Sequence, residues 1–212
     1  MKNIILSLIL LNLTLFAHNI WIDDAKNVIY GHITKSHDGP NSKNKLLDKD
    51  ELQSVVCQKE DAQSLECDLL FVTLKPKYYT KTPYGVKNSP KNETVTAMRS
   101  HLSHESVKRV YNQKGLATYK HGFEITLTNK LNSIQVGDKL RVVVLEEGKP
   151  KEGVVVSYDD RSIGISDEEG HVNIKVRHTG LQNLQASYAQ KGDGVTCDEI
   201  IYSTTLNFEV KK

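Results

Sequence analysis

Short alternating runs of apolar and polar residues dominate the chain, and they are most regular beyond about residue 122. There G-F-E-I-T-L-T-N, K-L-R-V-V-V-L, G-V-V-V-S-Y, I-G-I-S, H-V-N-I-K-V, L-Q-A-S-Y and S-T-T-L-N-F-E-V follow one another. Turn signals separate most of them: Val136-Gly137-Asp138, Glu147-Gly148-Lys149-Pro150, Asp167-Glu168-Glu169-Gly170 and Lys191-Gly192-Asp193-Gly194. Strand-length runs at this spacing, with no helical period between them, predict a β-sandwich of immunoglobulin-like or transthyretin-like type over residues 121–212.

The first half alternates less evenly. H-N-I-W-I-D-D and N-V-I-Y-G-H-I-T read as an extended hairpin turning at Asp24-Ala25-Lys26-Asn27. Residues 35–50 are polar and read as a surface loop. L-Q-S-V-V-C and C-D-L-L-F-V-T-L read as two further strands. The segment P-K-Y-Y-T-K-T-P-Y-G-V-K-N-S-P-K-N-E-T is punctuated by three prolines, which predicts an irregular excursion rather than a core strand or helix. Alternation returns in H-L-S-H-E-S-V-K-R-V-Y, where β-branched residues favour a strand. The expected organisation is all-β: an N-terminal β-domain over 18–120 with an irregular insertion, then the sandwich-like module.

Residues 1–17 have one early cation, Lys2, then a run of Ile, Leu and Phe ending in the small Ala17. That is the layout of a secretory signal peptide, and the run is short for the roughly 20 residues that span a bilayer. Cleavage after Ala17 would release an exported, periplasmic protein with no direct membrane insertion. The net charge of +2 is interspersed, so no basic face or stripe marks a nucleic-acid binder. Three cysteines then enter an oxidising compartment. Cys57 and Cys67 flank a polar connection, which suits a stapled hairpin worth about 2–3 kcal/mol. Spacing leaves open a pairing of Cys197 with either. No C-x-x-C pair exists to suggest a thioredoxin-like redox centre or a four-cysteine zinc site.

Candidate chemistry gathers on histidine. Cutting after Ala17 makes His18 the first residue, so an α-amine and an imidazole on one residue can close a chelate ring on a metal ion. His32, in Y-G-H, supplies a second imidazole. His101 and His104 stand three apart: on a helix they share a face, on a strand they oppose each other and only one can join a site. His121, before Gly122 at the expected domain boundary, is a further candidate ligand. His37, His171 and His178 read as surface residues. Asp23 and Asp24 read as turn formers, and Trp21 and Tyr30 as cover for the hairpin. Both groups of His18 must shed protons to bind, so affinity should fall with pH.

Several strings carry a resemblance. G-D-K-L-R-V-V-V-L-E-E-G-K-P-K-E-G-V-V-V, S-D-E-E-G-H-V-N-I and Y-S-T-T-L-N-F-E in the second half, with A-H-N-I-W, Y-G-H and K-P-K-Y-Y-T-K-T-P-Y-G in the first, resemble the extracytoplasmic DUF4198 family, including nickel-uptake accessory proteins of the NikK/NikM type. The G-K-P and D-x-x-G turns recur in many transthyretin-like modules and speak to fold. The pairing of A-H-N-I-W with Y-G-H is more particular. The resemblance implies a periplasmic protein that binds nickel or cobalt through His18 and His32 and feeds it to a membrane metal-uptake transporter. It does not extend to His101, His104 or His121. Residue chemistry alone leaves copper and zinc open, since divalent affinity order favours copper and selectivity depends on geometry.

Two other readings compete. One is a metal-free exported scaffold or interaction module. The other is a copper histidine-brace oxidoreductase, which also pairs an N-terminal His with a second imidazole; no flat aromatic substrate face accompanies it here. No G-x-S-x-G elbow, H-E-x-x-H helix or Gly-rich phosphate loop is present, so the expectation is a protein that is not an enzyme.

Overall fold

The structure, a computed structural model, describes residues 19–31, 33, 44–59, 66–116 and 122–211. Its strands in chain order are β1 (Asn19–Ile22), β2 (Val28–Gly31), β3 (Lys45–Leu46), β4 (Leu52–Gln58), β5 (Leu69–Leu74), β6 (Lys77–Thr82), β7 (Gly85–Lys87) and β8 (Arg99–Val110). There follow β9 (Phe123–Leu127), β10 (Lys139–Glu146), β11 (Lys149–Pro150), β12 (Val155–Tyr158), β13 (Arg161–Ile165), β14 (His171–Lys175), β15 (Gly180–Lys191) and β16 (Glu199–Val210). Only single 3₁₀ turns interrupt them among the described residues, so the protein is all-β.

The strands stack in three layers. The middle layer is a nine-stranded sheet in the order β13-β12-β15-β16-β8-β5-β4, with β6 also on β8 and β7 on β6. Against one face packs a four-stranded sheet of β11, β10, β14 and β9. Against the other lies a small sheet, β1-β2-β3.

Alternation decides which residues meet. On β5, Leu69 and Phe71 point into the main core, whereas Leu70 and Val72 point under the small sheet. The main core joins Phe71, Leu184, Leu206 and Phe208 of the large sheet to Ile125, Val142, Val144 and Ile174 of its partner. Each such side chain contributes roughly 1.5–3 kcal/mol by burial. The second cluster is smaller: Ile20, Ile22 and Val28 against Leu70, Val72 and Val107.

The expected boundary between residues 120 and 121 falls in the connection from β8 to β9, and the large sheet crosses it. β8 pairs in parallel with β16 from His101↔Glu199 to Arg109↔Asn207, so strands of both halves build one sheet and one core. The strands read from the second half divide between the two faces of this sandwich: β9, β10, β11 and β14 on one side, β12, β13, β15 and β16 on the other.

The proline-rich segment differs from its expectation. It contains a regular hairpin, β6–β7, whose first strand pairs with β8 from Lys77↔Ser103 to Lys81↔Arg99. Pro76, Pro83 and Pro90 fall before β6, in its turn and after β7, so no ladder N–H is lost. The cysteine expectation holds: Cys57 and Cys67 form a disulfide with Cα atoms 5.4 Å apart, at the connected end of the β4–β5 hairpin. Cys197 is free and buried. The D-x-x-G turn is built as read: Gly170 N–H donates to Asp167 O at 2.8 Å, and at φ +74° a Cβ there would lie 2.5 Å from Val144 O.

Candidate functional site

The β1–β2 hairpin lies across β8 and β16 in a register locked at its turn. Asp23 Oδ1 accepts the backbone N–H of Asn27 at 2.8 Å, closing the turn. Buried Arg109 donates to Ile22 O and pairs with Asp24 at 2.5 Å, while Ile22 N–H donates to Asn207 Oδ1 at 3.0 Å. With the turn fixed at the Arg109 end of β8, β2 runs back along that strand. Val28 packs in the cluster with Val107, and Tyr30 reaches a cleft shared with Glu105. The open end is the pair Asn19↔Gly31. Gly31 is required there: at φ +151° a Cβ would sit 2.1 Å from Asn44 Oδ1.

The cleft at this end holds about 180 Å³. Tyr30, Tyr79 and Glu105 line its interior, and Lys45, Lys77 and Glu51 its rim. Glu51 accepts Lys77 Nζ at 2.6 Å and Lys45 Nζ at 2.9 Å, and these two hydrogen bonds bring its carboxyl down to about 2. Glu105 is held differently. Its one described hydrogen bond comes from Ser103 Oγ at 2.8 Å, and burial pushes its carboxyl above the usual range, against a weaker pull from Lys77. Burial, then the Glu105 charge, raise the Tyr30 phenol; burial, Glu105 and Glu51 push Tyr79 up to about 12. Both phenols therefore stay protonated beside the Glu105 carboxyl.

β8 settles the question of His101 and His104. It is a strand, so the two rings take opposite faces. His101 lies on the same face as Ser103, Glu105, Val107 and Arg109, which is the hairpin's face. Its ring stacks on Tyr79 with centroids 5.2 Å apart, and burial lowers its proton affinity, the Glu199 charge opposing. His104 faces the other way, stacked on Tyr202 at 4.9 Å, with Tyr202 stacked in turn on Tyr188 at 5.0 Å. Burial lowers its proton affinity too.

His18, His32 and His121 lie outside the described residues, as does His37. Their described neighbours are informative. Asn19 and Gly31, to which His18 and His32 are covalently joined, pair with each other on the His101 face. Gly122, next to His121, exchanges hydrogen bonds with Glu147 at the turn from β10 to β11, on the far side of the large sheet. His171 faces Glu169 at 3.1 Å and His178 faces Asp159 at 3.1 Å, both away from the cleft. Among the described residues no group of three or more His, Cys, Asp or Glu is close enough to hold a metal ion.

Three cleft residues escaped the reading of the sequence. Tyr30 lines the cleft instead of merely covering the hairpin, and Tyr79 and Glu105 join it. Glu105 had a visible signal: in H-L-S-H-E, a strand puts the first His and the Glu on one face. Compared with known protein families, with curated proteins and with solved structures, the chain matches none.

Proposed function

We propose that this protein is an exported carrier that captures a divalent transition metal, nickel or cobalt, at the open end of the β1–β2 hairpin and delivers it to a membrane uptake transporter. The observation that carries the reading is the Asn19↔Gly31 pair: it joins the two residues attached to His18 and His32 on the face of the sheet that also bears His101 and Glu105. After cleavage behind Ala17, His18 supplies amine and imidazole, His32 a second imidazole, and His101 the third. Nitrogen donors of this kind suit nickel, cobalt, copper and zinc. Glu105 adds a carboxylate that offsets the charge of the bound cation. His104 and His121 are not part of this site.

Disulfide Cys57–Cys67 is compatible with export, and no helix among the described residues is long and apolar enough to cross a membrane. The test is a metal titration of the exported protein, its first residue established by mass spectrometry. Nickel or cobalt affinity should fall at least tenfold when one residue is added ahead of His18, and again in His101→Ala, while His104→Ala leaves it unchanged. Equal affinity with the extended terminus overturns the reading. Copper-dependent turnover with oxygen or peroxide would assign the same end of the hairpin to an oxidoreductase instead.

A further inference from the structure

Among the described residues, most exposed large apolar side chains crowd one end of the protein. Tyr84 is 89% exposed, Val95 80%, Met98 62%, Val195 60% and Val86 55%. They come from three loops stitched together by hydrogen bonds. Met98 N–H donates to Lys81 O at 2.8 Å, which fixes the 94–98 loop to the β6–β7 hairpin. Lys91 N–H donates to Thr196 O at 2.8 Å and Lys91 Nζ pairs with Asp198 at 2.5 Å, which fixes the 192–198 loop to both. Within the hairpin tip, Thr82 Oγ1 donates to Gly85 O at 2.9 Å and accepts Tyr84 N–H at 3.1 Å. The apolar side chains are therefore presented outward on a braced end, a costly arrangement for a surface that meets only water.

The charge around this end leans positive once its internal ion pairs are removed. Residues 75–92 contain five lysines and no acidic residue. Lys77 is bound to Glu51 and Lys91 to Asp198, while Arg99 holds Glu199 through both carboxylate oxygens at 2.8 Å. The Asp193 carboxylate is taken up by the N–H groups of Val195, Thr196 and Cys197 and the Thr196 hydroxyl. That leaves Lys81, Lys87 and Lys191 exposed against the two exposed carboxylates Glu93 and Asp193, with Lys75 exposed farther back beside the cleft.

We propose that this end docks on an anionic lipid bilayer. Tyr84, Val86, Val95, Met98 and Val195 enter the headgroup boundary, and Lys81 and Lys87 lie along it with their ammonium groups on lipid phosphates. A tyrosine at the tip, short aliphatic side chains beside it and lysine at the rim suit the polarity gradient of that boundary. Each lysine held near an anionic surface contributes about fivefold in affinity. Because β2 runs from the Arg109 end of β8 toward its Arg99 end, the open end of the hairpin faces the same way as this apolar end.

The test is sedimentation of the full exported protein with vesicles of phosphatidylcholine containing phosphatidylglycerol, and with phosphatidylcholine alone. Binding to the anionic vesicles is expected, weakened at least tenfold in Tyr84→Ser/Met98→Ser and several-fold in Lys81→Glu/Lys87→Glu or at high salt. Ile165→Ser, which removes an equally exposed side chain on edge strand β13, should change nothing. In Tyr84→Trp, emission should shift to the blue on adding anionic vesicles. Because these side chains project into solvent, the variants should unfold at the wild-type midpoint. No sedimentation of the wild type, equal binding to neutral vesicles, equal loss with Ile165→Ser, or binding that survives Tyr84→Ser/Met98→Ser overturns the proposal. So does engagement of a detergent-solubilised membrane protein without affinity for vesicles, which would assign this end to a protein partner.

Discussion

The two sides of the nine-stranded sheet each hold a desolvated carboxylate close to β8, and they solve the same problem in opposite ways. On the core side, Glu124 of β9 meets Lys108 of β8 at 2.8 Å with both side chains fully buried. Burial lowers the proton affinity of Lys108, and contact with Glu124 pulls the other way. On the hairpin side, Glu105 has Ser103 at 2.8 Å and two phenols nearby, while Lys77, which shares its cleft, is already committed to Glu51. The core-side pair is a direct, fully buried ion pair joining two sheets. The cleft-side carboxylate is left short of a cation, in a space that a ligand can reach. A carboxylate with a cation in contact marks the scaffold here, and one with no described cation in contact marks the candidate site.

The sharpest way to break this comparison is to remove one carboxylate at a time. Glu124→Gln should cost about 3–5 kcal/mol in unfolding free energy, because it strands a buried ammonium; Lys108→Met/Glu124→Leu should recover most of that loss. Urea unfolding measures both, and a cost below about 1 kcal/mol for the single change would mean that the pair is solvated.

Next comes the contrast between the two cores. Leu206→Ala, in the main core, should lower global stability by about 2–5 kcal/mol. Ile22→Ala, equally buried but in the thin hairpin layer, should act locally instead. Amide exchange at Trp21 and Val28 should quicken more than the unfolding midpoint falls, since the hairpin can open without the sandwich.

Glu105→Gln should move stability the other way, upward by about 0.5–1 kcal/mol at neutral pH. The sign follows from its raised folded-state pKa: the native state favours the protonated acid, and that advantage is lost as pH rises through the folded value. The gain should therefore vanish in acid, below the unfolded value of about 4.5, where Glu105 is protonated in both states. The same variant should lose affinity for nickel or cobalt. Stabilisation without loss of binding would remove Glu105 from the site.

The smallest effect concerns Glu51, whose folded pKa falls from 4.5 to about 2. A depressed carboxyl contributes stability above its unfolded value and loses it as pH drops through the folded one, here between about 4.5 and 2. Glu51→Gln should cost under about 1 kcal/mol at pH 7, because Lys45 and Lys77 are solvent-facing, and the difference should disappear at the acid end of that window.

Much of the fold was legible along the chain. Alternation located the strands, the Asp24–Asn27 turn closed the first hairpin, and the short polar connection paired Cys57 with Cys67. The proline-rich segment misled because punctuation was counted without asking where each ring falls; three prolines at strand ends leave β6 free to pair. The candidate site was half legible. Period two already separated His101 from His104, but nothing in sequence order said which of them the hairpin covers.

By itself the sequence determined the local terms: which residues alternate, where left-handed glycines must stand, and which donors a cut behind Ala17 would expose. Tertiary structure decided the rest: that β8 and β16 run parallel across residues nearly one hundred apart, that the hairpin lies on the Glu105 face, and that Glu124 finds its lysine while Glu105 does not. Alternation depends on neighbours within a strand and can be read in order. Pairing between strands and the layering of sheets depend on burying shared apolar area between distant segments, and linear order does not encode that.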